Sequence, residues 1–161
     1  MNNLNKSIPF ISIVIPTYNR PDKLAECLES LTKLEYPRDS YEVIVVDDGS
    51  KMSLESFVEN FNIQIEITLL KQPNAGPATA RNTGAKQAKG EFLAFTDDDC
   101  KPAPDWLNKI AACFAKKPDC LIGGKTINIL SENPFSTASQ ELNTYLYSYY
   151  NRDPEQATFF A

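Results

Sequence analysis

Histidine is absent from this chain of 161 residues. That excludes Ser-His-Asp and Cys-His catalysis, and any histidine-ligated metal site. No apolar run reaches the ~18 residues that a membrane-spanning helix requires. No basic stripe is present: Lys71, Arg81, Lys86 and Lys89 are scattered, and the net charge is -5. That balance argues against a nucleic-acid partner. Cysteine is sparse, and Cys27, Cys100, Cys113 and Cys120 have neither zinc-ligand nor redox-pair spacing. A reducing cytoplasm is the simplest setting for such free thiols. The start, MNNLNKSIPFISIVIP, is apolar only from Ile8 and has no small-residue cleavage site, so it does not read as a signal peptide.

What the chain does have is acid at the ends of strand-like runs. Asp97, Asp98 and Asp99 follow Glu91–Thr96, and Asp47 and Asp48 follow the run EVIVV. Adjacent carboxylates repel one another and need solvent, hydrogen bonds or a cation. A hard divalent ion carrying a phosphate ester is the natural partner. A solvated turn is the bland alternative for the triple aspartate. Asp48 can equally cap a turn with Gly49 and Ser50.

Apolar β-branched runs predict strands at Ile11–Ile15, stopped by Pro16, and at Tyr41–Val46. Further strands are expected over Ile63–Leu70, Glu91–Thr96 and Leu121–Ile129, the last broken by Gly123 and Gly124. Between them lie helical patterns. The first is capped by Asp22 and carries Leu24, Cys27, Leu28 and Leu31. A short helix carries Leu54, Phe57, Val58 and Phe61. A small-residue helix runs from about Pro77 and is closed by Gly90, and another covers roughly Asp105–Lys116. Strands alternating with helices imply an α/β fold with a mainly parallel sheet covered on both faces. Ligands then sit beyond the carboxyl ends of the strands. Pro16–Arg20, Asp47–Ser50 and Asp97–Asp99 all lie at that edge.

Two acidic residues beside a nucleotide cannot both grip phosphate, so the Asp47–Asp48 edge suits base and sugar. Tyr18 reads either as a stacking platform for a base or as a packing residue. Arg81, in ATARNTG, pairs with an edge carboxylate, touches the nucleotide, or is plain surface. The glycines of NAGPATARNTG fit no common phosphate-cradling loop, so phosphate falls to the metal. Gly123 and Gly124 admit a close approach of ligand to backbone, or simply a bend. Trp106 reads as core.

The motifs SIVIPTYNR, EVIVVDDGS, NAGPATARNTGAKQAKGEFLAFTDDDCKPAPDWL and the diglycine, in that order, resemble the family 2 glycosyltransferases. The match runs from Ile11 to Gly124. It implies the GT-A fold, a nucleotide-binding α/β domain, and a nucleotide-diphosphate sugar donor, most often a UDP-sugar. It further implies that Pro16, Thr17 and Tyr18 receive the base and that Asp48 bonds it, with Asp47 beside it. Arg81 would lie near the base and the acidic pair. Asp97–Asp99 matches the DxD element, with Asp97 and Asp99 about Mn²⁺ or Mg²⁺ and Asp98 between them. Gly123 and Gly124 would line the sugar side. The acceptor would be a glycan, lipid or protein hydroxyl, attacking with inversion under general-base catalysis.

In the resembling enzymes the base follows one further strand, and TFFA begins an apolar run just as the chain stops. The expectation is therefore a donor-binding domain over residues 8–130 and an acceptor-side segment opening at 131–161, cut off before the base. Glu132, Glu141, Asp153 and Glu155 are carboxylates without the expected context, and no catalytic residue is assigned. A catalytically silent nucleotide-binding or scaffold fragment is the main alternative. A nucleotidyltransferase would want a Gly-rich, Arg-bearing loop after the first strand, which PTYNRPD lacks. A phosphatase would want an aspartyl pair there. Apolar surface left uncovered predicts self-association. The expected location is cytoplasmic, with membrane association in a longer protein.

Overall fold

The computed structural model describes residues 8–152. They fall into two compact units, the first ending at Pro118 and the second beginning at Asp119. The first unit is built on four parallel strands, β1 (Ile11–Thr17), β2 (Tyr41–Asp47), β3 (Ile67–Lys71) and β4 (Phe92–Phe95), in the order β3-β2-β1-β4. Its helices are α1 (Pro21–Leu31), α2 (Glu55–Asn62), α3 (Pro77–Gln87) and α4 (Trp106–Phe114). Strand order reverses between β1 and β4, and ligands of open parallel sheets bind at such a switch point.

β1 and β2 are buried along their whole length, as strands covered on both faces must be. On one face Ile11, Ile13, Ile15, Val43 and Val45 pack with Leu24, Leu28 and Leu31 of α1, Val58 of α2 and Leu107 of α4. On the other, Val14, Ile44 and Val46 pack with Ala80 of α3. Burying each such side chain contributes about 1.5–3 kcal/mol. The small residues of α3 let it lie close to the sheet. A Cβ on Gly84 would come within 2.5 Å of Val14 Cγ1 and 3.1 Å of Val46 Cγ2. Trp106 packs against the larger core cluster, as expected.

Several expected boundaries move. Pro16 does not stop β1, which continues to Thr17. Val14 carbonyl accepts from Thr96 N–H, so Pro16, two residues on, also faces the β4 side, where β4 has already ended. Its missing donor therefore costs no ladder bond. Asp22 is not the cap of α1: Arg20 holds the N-cap position, Pro21 opens the helix, and Asp22 sits in the first turn. β3 is shorter than its apolar run because Ile63 caps the end of α2 and is exposed. Gly90 does not close α3, which ends at Gln87. It lies against β1 instead, where a Cβ would meet Ser12 N at 2.5 Å.

The second unit holds α5 (Pro134–Tyr150), whose N-cap Asn133 accepts N–H bonds from Phe135 and Ser136 at 3.0 and 3.1 Å. The strand expected over Leu121–Ile129 is absent: the segment has no helix or strand. Leu121 is 86% and Ile127 74% exposed. Apolar residues alone do not make a strand when no ladder partner or covering layer receives them. The TFFA run, with Asp153 and Glu155, lies outside the described residues. Among the described residues no helix is long and apolar enough to cross a membrane.

Candidate functional site

Four loops leave the carboxyl edge of the sheet, and side chains tie each to its neighbours. The loop after β1 and the loop after β2 are joined by Asn19. It adopts a left-handed φ of 54°, which asparagine tolerates better than most residues. Its N–H donates to Ser50 Oγ and its Oδ1 accepts from Lys51 N–H, both at 2.8 Å. Asp47, buried at the end of β2, accepts the Ser50 N–H at 2.8 Å.

Asp48 joins the β2 loop to the loop after β3. Its Oδ1 accepts from Gln72 Nε2 at 2.6 Å and from Ala75 N–H at 3.0 Å, and its Oδ2 accepts from Gly76 N–H at 2.8 Å. Asn74 Nδ2 returns to the Asp48 carbonyl at 3.0 Å. Burial opposes charge on Asp48, but the Ala75 N–H, the Gln72 amide and the Gly76 N–H outweigh it and hold the carboxyl below its usual range. A carboxylate offers about four lone-pair sites. Three are taken within the protein, and Asp48 is itself buried, at 3% exposure. Gly49 and Gly76, with φ of 86° and 87°, allow the two loops to meet. A Cβ on Gly49 would approach Asn74 N to 2.9 Å.

The triple aspartate divides its work. Asp98 is fully buried: its Oδ2 accepts from Thr17 Oγ1 at 2.7 Å, and its Oδ1 forms an ion pair with Arg20 Nη2 at 2.7 Å but no well-aligned hydrogen bond. Burial raises the Asp98 carboxyl above its usual range, against the Thr17 hydroxyl and Arg20, and the charges of Asp99 and Asp97 add to the rise. Asp98 is thus a strut joining β1 to the β4 loop. Asp97 and Asp99 are the half-exposed pair. Asp97 is held by Arg81 from α3, and Asp99 by Arg20 Nη1 at 3.1 Å. Cys27 of α1 donates its thiol to the Asp97 carbonyl at 3.7 Å, and burial pushes that thiol up to about 12.

The expected residues Pro16, Thr17, Tyr18, Asp47, Asp48, Asp97, Asp98 and Asp99 therefore belong to one loop cluster or the strand ends beneath it, and Arg81 reaches it from α3. Tyr18 is 44% exposed there. Gly123 and Gly124 belong to the second unit, in an exposed stretch where a Cβ on Gly124 would meet nothing within 4 Å. Among the described residues no tight approach calls for glycine at position 124. Arg20, Asn19, Gln72 and Ser50 carry much of the wiring and went unassigned from sequence. Arg20 had a usable signal: an acidic run needs a cation, and PTYNR supplies one at the same edge. Gln72 and Asn19 act through loop geometry, which no spacing rule encodes.

The donor chemistry of Asp97 and Asp99 suits a hard divalent ion, being oxygen only and partly open to solvent. Among the described residues no three histidine, cysteine or acidic side chains converge on a metal position. The chain described would supply at most two carboxylates, leaving other positions to a ligand and water.

Residues 12–161 match the profile of Glycosyl transferase family 2. The chain is 36% identical over 124 residues to glycosyltransferase AglE of Haloferax volcanii, covering 75% of this chain and 40% of that protein. It is similar to the crystal structure of Staphylococcus aureus TarS 1-349 in complex with UDP-GlcNAc, with a TM-score of 0.67 and 33% identity over 74% of this chain and 36% of that one. It also resembles the mannosyltransferase PcManGT of Pyrobaculum calidifontis in complex with GDP-Man and Mn²⁺, with a TM-score of 0.60 and 32% identity over 66% of this chain and 32% of that one. The chain spans less than half the length of each of these. The profile match, the all-parallel sheet and the four-loop acidic edge agree: this chain belongs to glycosyl transferase family 2.

Proposed function

We propose that the chain is the donor-binding part of an enzyme that transfers a sugar from a nucleotide-diphosphate sugar, a UDP-sugar, to an acceptor hydroxyl with inversion. The observation that carries this reading is the acidic loop cluster at the carboxyl edge of the sheet, where Asp48 fastens the β2 loop to the β3 loop and Tyr18 is exposed. Asp48 Oδ2 accepts a base N–H, Tyr18 stacks on the base, and Pro16, Thr17 and Asp47 hold the floor beneath it. Arg81 keeps Asp97 in place beside the nucleotide. Asp97 and Asp99 hold Mn²⁺ or Mg²⁺, which when bound neutralises the charge of the diphosphate leaving group. Asp98 fixes both from below. The TarS structure with UDP-GlcNAc and the PcManGT structure with GDP-Man and Mn²⁺ support the donor class and the cation.

The donor-binding part spans residues 8–130, and 131–161 opens the acceptor side. The acceptor is a glycan, lipid or protein hydroxyl. The protein works in the cytoplasm, membrane-associated in its longer form. Phe95 and Leu93 of β4 are 46% and 39% exposed, and among the described residues no strand pairs with the outer edge of β4. Self-association through apolar surface follows and is measured by sedimentation velocity across a concentration series. A monomer at every concentration would refute it.

The test of the donor reading is calorimetry with UDP and GDP, with and without Mn²⁺, on this chain and on Asp99→Ala. Mn²⁺-dependent UDP binding that the substitution abolishes is the expected result. UDP binding with no dependence on metal would remove the cation from the reading, and no nucleotide binding at all would remove the donor site.

A further inference from the structure

We infer that Arg20 is a resident counter-cation: a divalent ion must displace it from Asp99, while it stays anchored on Asp98. The inference rests on the proposed role of Asp99 as a cation ligand. One guanidinium spans two carboxylates. Nη2 meets Asp98 Oδ1 at 2.7 Å and Nη1 meets Asp99 Oδ2 at 3.1 Å. The partners differ in burial, Asp98 being fully buried and Asp99 49% exposed.

That asymmetry decides which contact gives way. Breaking the Asp98 contact strips a buried carboxylate of the only cation paired with it among the described residues, which is strongly unfavourable. Breaking the longer Asp99 contact returns two half-exposed groups to water, which costs little. The backbone under Arg20 is also held, through the two hydrogen bonds between Asn19 and the β2 loop. The guanidinium can therefore pivot about Asp98 without the loop moving. Asp99 Oδ1 faces the Cys100 thiol at 4.0 Å, so a cation that draws on Oδ2 as well meets Nη1 there, and Arg20 sets the threshold for metal loading. Arg81 stands in the same relation to Asp97, but its side chain is less exposed than that of Arg20.

The test is Mn²⁺ binding, measured by calorimetry and by loss of the free-ion paramagnetic signal. The proteins are the wild type, Arg20→Lys and Arg20→Met, each with and without UDP. A lysine keeps the charge but cannot span two carboxylates. Displacement predicts that both variants bind Mn²⁺ about three- to fivefold tighter than wild type in the absence of UDP. Tighter binding by Arg20→Met alone would mean that Arg20 acts through its field and does not occupy the site, and the inference fails. Unchanged or weaker binding in both variants also overturns it. No Mn²⁺ binding by any protein, with or without UDP, overturns the cation reading of Asp99 and this inference together. Should the variants fold poorly, the wild type still answers. On titration with Mg²⁺, the Arg20 side-chain N–H resonance must shift with the midpoint of metal binding, and a resonance that stays put refutes displacement.

Discussion

Replacing Asp48 by asparagine tests whether this carboxylate organises the loops at the sheet edge. Asparagine keeps the shape but has one acceptor oxygen where aspartate has two. If that oxygen faces Gln72 Nε2 and Ala75 N–H, the new NH₂ faces Gly76 N–H, donor against donor at about the 2.8 Å separation now spanned. The flipped amide opposes two donors and is worse. A hydrogen bond to a charged acceptor contributes about 1.5–3 kcal/mol, and an unpaired buried donor costs about 1–3 kcal/mol. Ala75 is exposed and Gly76 half-buried, so water relieves part of this, and the lower ends of both ranges apply. The sum is about 2–3 kcal/mol. With a urea slope of about 1.5 kcal/mol per molar, the unfolding midpoint falls by roughly 1.3–2 M.

The pH dependence gives a second check. The Asp48 carboxyl titrates below its usual range in the folded protein. A depressed carboxyl contributes its full stabilisation above the unfolded value of about 3.9 and loses it as pH falls through the folded value. Asparagine does not titrate. The stability gap between wild type and Asp48→Asn is therefore constant near neutrality and narrows below about pH 4. A gap under about 0.5 kcal/mol at pH 7, or one that persists unchanged into acid, would refute the reasoning.

Gly84→Ala gains about 1 kcal/mol of helix propensity but drives a methyl into Val14 and Val46, so it is expected to destabilise by up to about 2 kcal/mol. Adding Val14→Ala should recover part of the loss. Additive effects in that double-mutant cycle would show that the methyl finds room elsewhere. Glu42, buried on β2, accepts from Ser12 Oγ and Lys89 N–H through one oxygen, both at 2.7 Å. Glu42→Gln keeps an oxygen there and should cost under about 1 kcal/mol, whereas Glu42→Ala strands both donors and should cost about 2–4 kcal/mol by urea unfolding. Equal costs would deny that hydrogen bonding is the role. Cys27, fully buried with its thiol near 12, should resist thiol-disulfide reagents in the native protein while exposed Cys113 reacts. Rapid native labelling of Cys27, read by peptide mapping, would contradict the packing of α1 beneath the Asp97 loop.

The sheet was legible in sequence because strands buried on both faces leave continuous apolar runs, as in ISIVI and EVIVV. The acidic edge was legible because short acidic runs after such strands have few structural uses. Pro16 and Ile63 were misjudged for one reason: both read from local propensity, and both were decided by neighbours. Pro16 survives in β1 because β4 stops short of it. Ile63 leaves β3 because α2 needs that residue for its last turn. The segment Leu121–Ile129 shows the limit of the apolar signal, since its side chains find no covering layer in their own unit. The division of labour within Asp97–Asp99 was invisible in sequence. Three identical residues differ in what lies opposite them: Arg81, Thr17 with Arg20, and Arg20 with the Cys100 thiol.

The Thr17–Asp98 hydrogen bond joins residues 81 apart along the chain. On a ribosome adding about 5–20 residues per second, that interval lasts roughly 4–16 s. During it β1 and β2 can pair, but the buried partner of Thr17 does not yet exist. The acidic edge is therefore a late product of synthesis, closed only when β4 zips onto β1. A pause in translation before residue 92 would hold the nascent chain with an unfinished sheet margin and an open acidic edge, a window in which a chaperone would find apolar backbone to bind.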